Sequence, residues 1–379
     1  MSGRFLRLAC TATVAAQAVL VPVPVLAAPG PERPVAELLT DLQGLYRQAE
    51  QATETYNATE ERLRRQRAEV SRLEGELAKA RLSLHTSKAE AGRLARQQYQ
   101  STTGISPYVR LLLARDPQHA LDEGHVIGQL ARERAETVGR LADDEKRRID
   151  LARKARKALD IRLALAEGQK KQRDEVRGRL SEVERMLASL TPGQLTALAD
   201  LERGNTAAAQ RKLTTSGALS TTTPSPSQEG DRAVRYAVRQ LGKPYQWGAQ
   251  GPKSYDCSGL TSQAWDHAGT PIPRTSQEQW AHLPHVPLNR LRPGDLVVYF
   301  PEATHVALYL GDGKVVQAPR PGAKIKVSPI AANPILGAVR PDPKARPLGH
   351  YTPPAIPETA TEGPDESFGT SQPTAPTST

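Results

Sequence analysis

The sequence is short of the residues that usually build and staple a compact protein. Cysteine occurs only at Cys10 and Cys257 in 379 residues, and aromatic residues make up 4% of the chain. Few aromatics exclude one continuous core along the whole length. The three tryptophans, Trp247, Trp265 and Trp280, all fall in the C-terminal half, so a core is expected there. No basic run is interleaved with aromatics and no recognition motif is present. The net charge of +10 therefore does not read as nucleic-acid binding; if the chain is exported, envelope polymers or a membrane surface are the more natural polyanions. His282 and His285 lie in "HLPH", where a proline breaks the helical spacing a zinc site would use. No metal and no other cofactor is expected.

The N-terminus carries Arg4 and Arg7, an apolar run through Val14, Val19, Leu20 and Val25, and the small-residue ending "VLAAPG". This reads as a secretory signal over residues 1–27, cleaved after Ala27, and implies a secreted or cell-wall-associated protein. Pro22 and Pro24 interrupt the run and argue against a retained membrane anchor. Arg7 ahead of Cys10, with no apolar segment before it, argues against lipidation. Cleavage would leave Cys257 as the sole thiol, which excludes an intramolecular disulfide and leaves either an inert buried cysteine or a reactive one.

Residues 28–203 read as a helical coiled-coil hairpin. Leu42, Ala49, Tyr56, Leu63, Val70, Leu77, Leu84 and Ala91 recur every seven residues, with Leu45, Ala52, Leu73, Ala80 and Leu94 three further on; Thr59, Gln66 and Ser87 weaken the seam without shifting its phase. Gly104, Pro107 and Pro117 interrupt the pattern, which resumes through Val138, Leu141, Ile149, Ala152, Leu159, Leu163, Val176, Leu180 and Val183. Two long helices around a short bend fit an antiparallel hairpin, although a stalk or a dimerising coil has the same heptads, and the oligomeric state is unknown. The apolar "YVRLLLA" at the bend is either a packed tip or a docking surface. Residues 204–230, rich in Thr, Ser and Pro, read as a disordered linker, and 341–379 as a disordered tail.

Residues 231–340 read as a compact α+β domain, helices first and a small antiparallel sheet after. In "DCSGLTSQAWDHAG", Asp256 is the natural N-cap and Cys257 falls in the first turn, where the helix terminus favours a thiolate. His305 opens an apolar strand. If the turn at Gly311, Asp312 and Gly313 is centred on Asp312, Ala307 sits opposite Gln317, and His305 and Gln317 share a face as diagonal neighbours; a two-residue Asp312-Gly313 turn would put Gln317 on the other face. Nucleophile, base and a polar group that orients the base are the parts of an activated cysteine. A buried structural cysteine and a surface histidine are the plainer alternatives.

The segments "LGKPYQWGAQGPKSYDCSGLTSQAW", "PRTSQEQ", "LRPGDLVVYF" and "HVALYLGDGKVVQAP" together resemble the NlpC-type cell-wall cysteine peptidases over about Asp231 to Arg340. That resemblance implies a papain-like α+β fold. It also implies hydrolysis of peptidoglycan stem peptides, commonly between D-γ-glutamyl and diaminopimelate residues, with Cys257 as nucleophile, His305 as base and Gln317 at a third position more often occupied by histidine. It further implies Tyr245 near the reacting carbonyl, Asp256 and Ser258 as stem-peptide contacts, and Arg274 and Ser276 at the border of the cleft. Relatives with a coiled coil ahead of the catalytic domain dock it to a membrane-embedded complex or cover the active site with it. A muramoyl-L-alanine amidase and a non-catalytic wall-binding scaffold are the competing readings.

Overall fold

A computed structural model describes residues 33–101, 107–113, 116–220, 222 and 224–360; the expected signal segment lies outside them. Helix α1 (Val35–Ser101) runs about 100 Å at 1.5 Å per residue, α2 (Pro107–Leu112) forms the bend, and α3 (Pro117–Ala188) returns antiparallel to α1. Asp116 caps α3 by accepting the His119 N–H, with Pro117 at the first helical position. The seam buries Leu63, Val70, Leu77 and Leu84 of α1 with Leu151, Ala158, Val176, Leu180 and Val183 of α3. Two of its polar members are used. Gln66 donates to the Ala158 carbonyl at 2.9 Å, and Ser87 and Ser83 donate to Asp144 at 2.5 and 2.9 Å. Val138 and Leu163, expected in the seam, stand 59% and 55% exposed. At the tip, Leu112 and Leu113 are 84% and 66% exposed.

The linker expectation for 204–230 fails at both ends, since a helix already starts at Gln228 with buried Ser227 as its cap. Helix α4 (Pro192–Thr215) runs through the first half, started by a reciprocal capping box between Thr191 and Gln194. Its composition looks disordered, but Leu198 packs against Leu38 and Leu39 of α1, and Leu213 with Leu219 packs on the sheet. Gln210 spans the β-turn, donating to the Gly313 carbonyl and accepting the Ala331 N–H. The tail expectation also fails up to residue 360. Asp342 accepts from buried Arg292 at 2.8 Å, the Leu348 N–H donates to the Pro226 carbonyl, and Ala360 is buried. A proline-rich segment that finds fixed partners on a finished domain needs no core of its own.

The C-terminal domain contributes α5 (Gln228–Val238), α6 (Cys257–His267) and α7 (Ser276–His282). Six antiparallel strands follow: β1 (His285–Val286), β2 (Leu296–Tyr299), β3 (His305–Gly311), β4 (Lys314–Gln317), β5 (Lys326–Pro329) and β6 (Ile335–Val339), in the order β1-β6-β2-β3-β4-β5. Leu260, Ala264 and Trp265 of α6 share a core with Val298, Val306, Leu308 and Val316, and Ala49 and Ala52 of α1 join it, so the base of the hairpin is packed into the domain.

The β3–β4 turn is the two-residue Asp312-Gly313 form, both residues at positive φ, and yet the register is the one a turn centred on Asp312 would give. Tyr309 pairs with Val315 and Gly311 with Lys314, so Leu310 is an extra residue, a bulge. The bulge restores the register, Leu308 pairs with Val316, and Gln317 stays on the face of His305.

Candidate active site

Asp256 is extended and caps α6, its Oδ1 accepting the Gly259 N–H at 2.6 Å, which sets Cys257 at the first helical position. Gly259 is required there, since a Cβ would fall 2.2 Å from the Ala249 carbonyl. The other Asp256 oxygen accepts the Gly248 N–H at 2.9 Å, and Arg274 grips both oxygens at 3.0 and 2.7 Å. Arg274 also donates to Ser258 Oγ at 2.8 Å. The carboxylate thus has three tasks: it caps the helix, closes the 248–256 loop and holds Arg274 in place.

The His305 imidazole is fully buried. Its Nε2 lies 2.7 Å from Gln317 Oε1, while the Gln317 amide nitrogen donates to Ser328 Oγ at 2.8 Å. Ser328 thereby orients the Gln317 amide with its oxygen toward His305, which places the imidazole proton on Nε2 and leaves Nδ1 as the basic nitrogen. Cys257 lies beside this pair, its sulfur receiving the backbone N–H of Val306. Tyr245 completes the pocket; burial first, and then the nearby Cys257 sulfur, push its phenol pKa up.

Helix α1 fills the front of the site. Glu54 accepts from Ser258 Oγ at 2.6 Å and from the Ser276 N–H at 2.7 Å, with the Cys257 sulfur 4.0 Å away. Glu50 Oε1 is 3.1 Å from His305 Nδ1, and Asn57 donates to Asp256 at 3.0 Å. Tyr56 meets Trp247 edge-on, with ring centroids 5.2 Å apart. Burial raises the Glu54 pKa to about 7, helped by the charge of Asp256. Burial alone would lower the His305 pKa, but the charge and contact of Glu50 hold it above the usual value. The expected depression of the Cys257 pKa is reversed. Burial pushes the thiol up, Glu54, Asp256 and Glu50 push the same way, and the Val306 N–H opposes them. A helix terminus is worth less than full desolvation beside three carboxylates.

Residues 242–337 match the family model described as the NlpC/P60 family. These residues form an NlpC/P60 family domain. The chain is 41% identical over 111 residues to a protein of Corynebacterium glutamicum named a probable endopeptidase, covering 29% of this chain and 53% of that one. It is 38% identical over 114 residues to one so named from Mycobacterium tuberculosis, covering 29% and 30%. The chain thus spans about half of the first relative and under a third of the second. The solved RipD structure from Mycobacterium tuberculosis, described as a non-catalytic NlpC/p60 domain protein adapted to peptidoglycan binding, is 32% identical; the match covers 30% of this chain and 98% of that one, with a TM-score of 0.28.

In this NlpC/P60 domain the eight residues singled out from sequence, Tyr245, Asp256, Cys257, Ser258, Arg274, Ser276, His305 and Gln317, are brought to one buried pocket. Four others had no distinguishing signal. Glu50, Glu54 and Asn57 look like ordinary coiled-coil polar positions, and Ser328 like a strand residue. Spacing of four and three residues does put Glu50, Glu54 and Asn57 on one face of α1, apart from the seam.

Proposed function

We propose that the chain is a secreted cysteine endopeptidase that hydrolyses peptidoglycan stem peptides at the D-γ-glutamyl–diaminopimelate bond, and that its own hairpin holds it shut. The observation that carries this reading is the occupancy of the site by α1. Glu50 stands against the basic nitrogen of His305, and Glu54 takes the hydrogen-bond donors in front of Cys257. A pocket with no reaction to restrain would not need two buried carboxylates inserted into it. Once α1 withdraws, the thiol loses two of its three carboxylate neighbours and regains solvent, which lowers its pKa. Cys257 Sγ then attacks the stem-peptide carbonyl carbon while His305 Nδ1 takes the thiol proton. As the C–N bond breaks, His305 returns that proton to the leaving amine. Water, deprotonated by His305, hydrolyses the thioester and restores the thiol. Gln317 keeps the imidazole in the tautomer this needs. A membrane complex that engages the hairpin is the regulator that fits, its docking surface being the exposed leucines at the tip.

The test is to incubate purified sacculi with the mature chain, with Cys257→Ala, and with a Glu50→Ala/Glu54→Ala chain, reading released fragments by mass spectrometry. The double variant should release fragments ending in D-glutamate faster than the parent, and Cys257→Ala should release none. Fragments split before L-alanine would indicate an amidase instead. Wall binding without release by the double variant would make the protein a scaffold.

A further inference from the structure

The net charge of the chain is not spread along it. Residues 62–81 of α1 and 146–162 of α3 hold fifteen Lys and Arg against five Asp and Glu, a surplus of ten that equals the formal net charge of +10; the other 36 basic residues are matched by 36 acidic ones. These two segments lie side by side. Gln66 bonds to Ala158 at one end and Ser83 to Asp144 at the other, so the surplus forms one band about 30 Å long in the middle of the hairpin.

Within the band the cations are sided. Glu90 and Arg140 meet at 3.3 Å along one edge of the seam. Steps of seven from that contact bring Arg62 of α1, and Arg147 and Lys154 of α3, to the same edge. Arg65, Lys79 and Lys157, three residues on from such positions, widen it. All six are exposed, and none has an ion-pair partner among the described residues. The α1 carboxylates on that edge, Glu69 and Glu76, are both taken by Arg72. Elsewhere the hairpin pairs its charges across the seam, as in Lys88–Glu145 and Arg140–Glu90. A solvated helix face gains a few tenths of a kcal/mol from each oppositely charged pair, so leaving six like charges together works against the fold unless something else neutralises them.

We propose that this edge is a docking surface for a flexible polyanion whose charges repeat along its backbone, a polymer of phosphodiester-linked polyol or sugar units. A membrane surface fits less well. Ile161 within the band and Leu82 and Leu163 at its ends are exposed, but three scattered side chains do not make the continuous apolar face that inserts between lipids. At its near end Arg65 borders the groove that Ile272, Pro273 and Arg274 line, and from there the surface runs outward along the hairpin; it stands whether or not the protein is a hydrolase. It would concentrate the chain on an anionic envelope polymer.

The probe is poly(glycerol phosphate), titrated against the full mature chain from 50 to 300 mM salt, beside vesicles containing phosphatidylglycerol. Affinity should fall linearly on a log–log plot against salt. Arg62→Gln/Arg65→Gln/Lys154→Gln/Lys157→Gln should weaken polymer binding at least tenfold and flatten the slope by about 3, at a charge-release term near 0.7–0.9 per phosphate contact. The control Lys253→Gln/Lys324→Gln/Lys344→Gln/Arg346→Gln, with the same loss of charge on the C-terminal domain, should stay within about twofold. If the first variant loses helicity, Arg65→Gln and Lys157→Gln alone, each changing the slope by about 1, carry the same test. An equal loss in the control, or no polymer binding at 50 mM salt, overturns the proposal, and vesicle binding without polymer binding does so in favour of a membrane.

Discussion

Docking of α1 in the pocket should weaken as pH rises from 5 to 8, and Glu54 should be the main reason. In the docked state burial holds its pKa at about 7, against 4.5 for an exposed glutamate. A carboxyl whose pKa is raised by docking binds more protons when docked, so it favours docking in acid and loses that contribution as pH climbs through about 7. Between pH 5 and 8 this one group costs the docked state about 2.5 kcal/mol, which is a rise of about 70-fold in the open population. His305, whose pKa Glu50 holds up, acts in the same direction, because its docked proton is also lost as pH rises. The assay is alkylation of Cys257, the only thiol once Cys10 is absent, measured on the native chain and divided by the rate for a Glu50→Ala/Glu54→Ala chain, whose site stands open, at the same pH. That ratio reports the open fraction and cancels the intrinsic ionisation of the thiol. Glu54→Gln should flatten most of the rise, since an amide keeps the shape without the charge. A native chain that becomes better protected as pH rises, or a Glu54→Gln chain with an unchanged slope, would refute the reasoning.

Three further outcomes follow from the same contacts. Tyr56→Ala removes the edge-on contact with Trp247, worth about 0.5–1.5 kcal/mol beyond its area, and should raise the open fraction by roughly 2- to 10-fold in the same alkylation assay. Arg274→Ala leaves Asp256 buried and unpaired and should cost about 3–5 kcal/mol in urea unfolding, while a hairpin-surface change such as Lys79→Ala should stay within about 0.5 kcal/mol. In a Glu50→Ala/Glu54→Ala background, Gln317→Leu should lower kcat on the order of 10²-fold by releasing the imidazole tautomer, and Ser328→Ala should lower it less, with a shifted pH profile in both.

Much of this was legible in the residues themselves. The heptad rows of α1, the Asp256 cap and the thiol in the first turn of α6 are local patterns, and local patterns follow from propensity and spacing. The β3–β4 hairpin about Asp312 is local too, because turns and alternation are read within a few residues, whereas the seating of β6 between β1 and β2 is not. Even the His305–Gln317 pairing was reachable, though for an incomplete reason. The turn is the form expected to break it, and the Leu310 bulge restores it.

What the residues alone could not decide is which surfaces meet. Composition assigned 204–215 and 341–360 to disorder because neither can build a core, yet each lies on one supplied by another part of the chain. Glu50, Glu54 and Asn57 read as solvated coil positions until α1 is laid across the pocket, where desolvation makes two of them part of its chemistry. The helix terminus seen in sequence argues for an ionised Cys257, and the folded chain holds it as a thiol. Sequence sets what a group can do; the dielectric and the charges that tertiary contacts gather around it determine its protonation state.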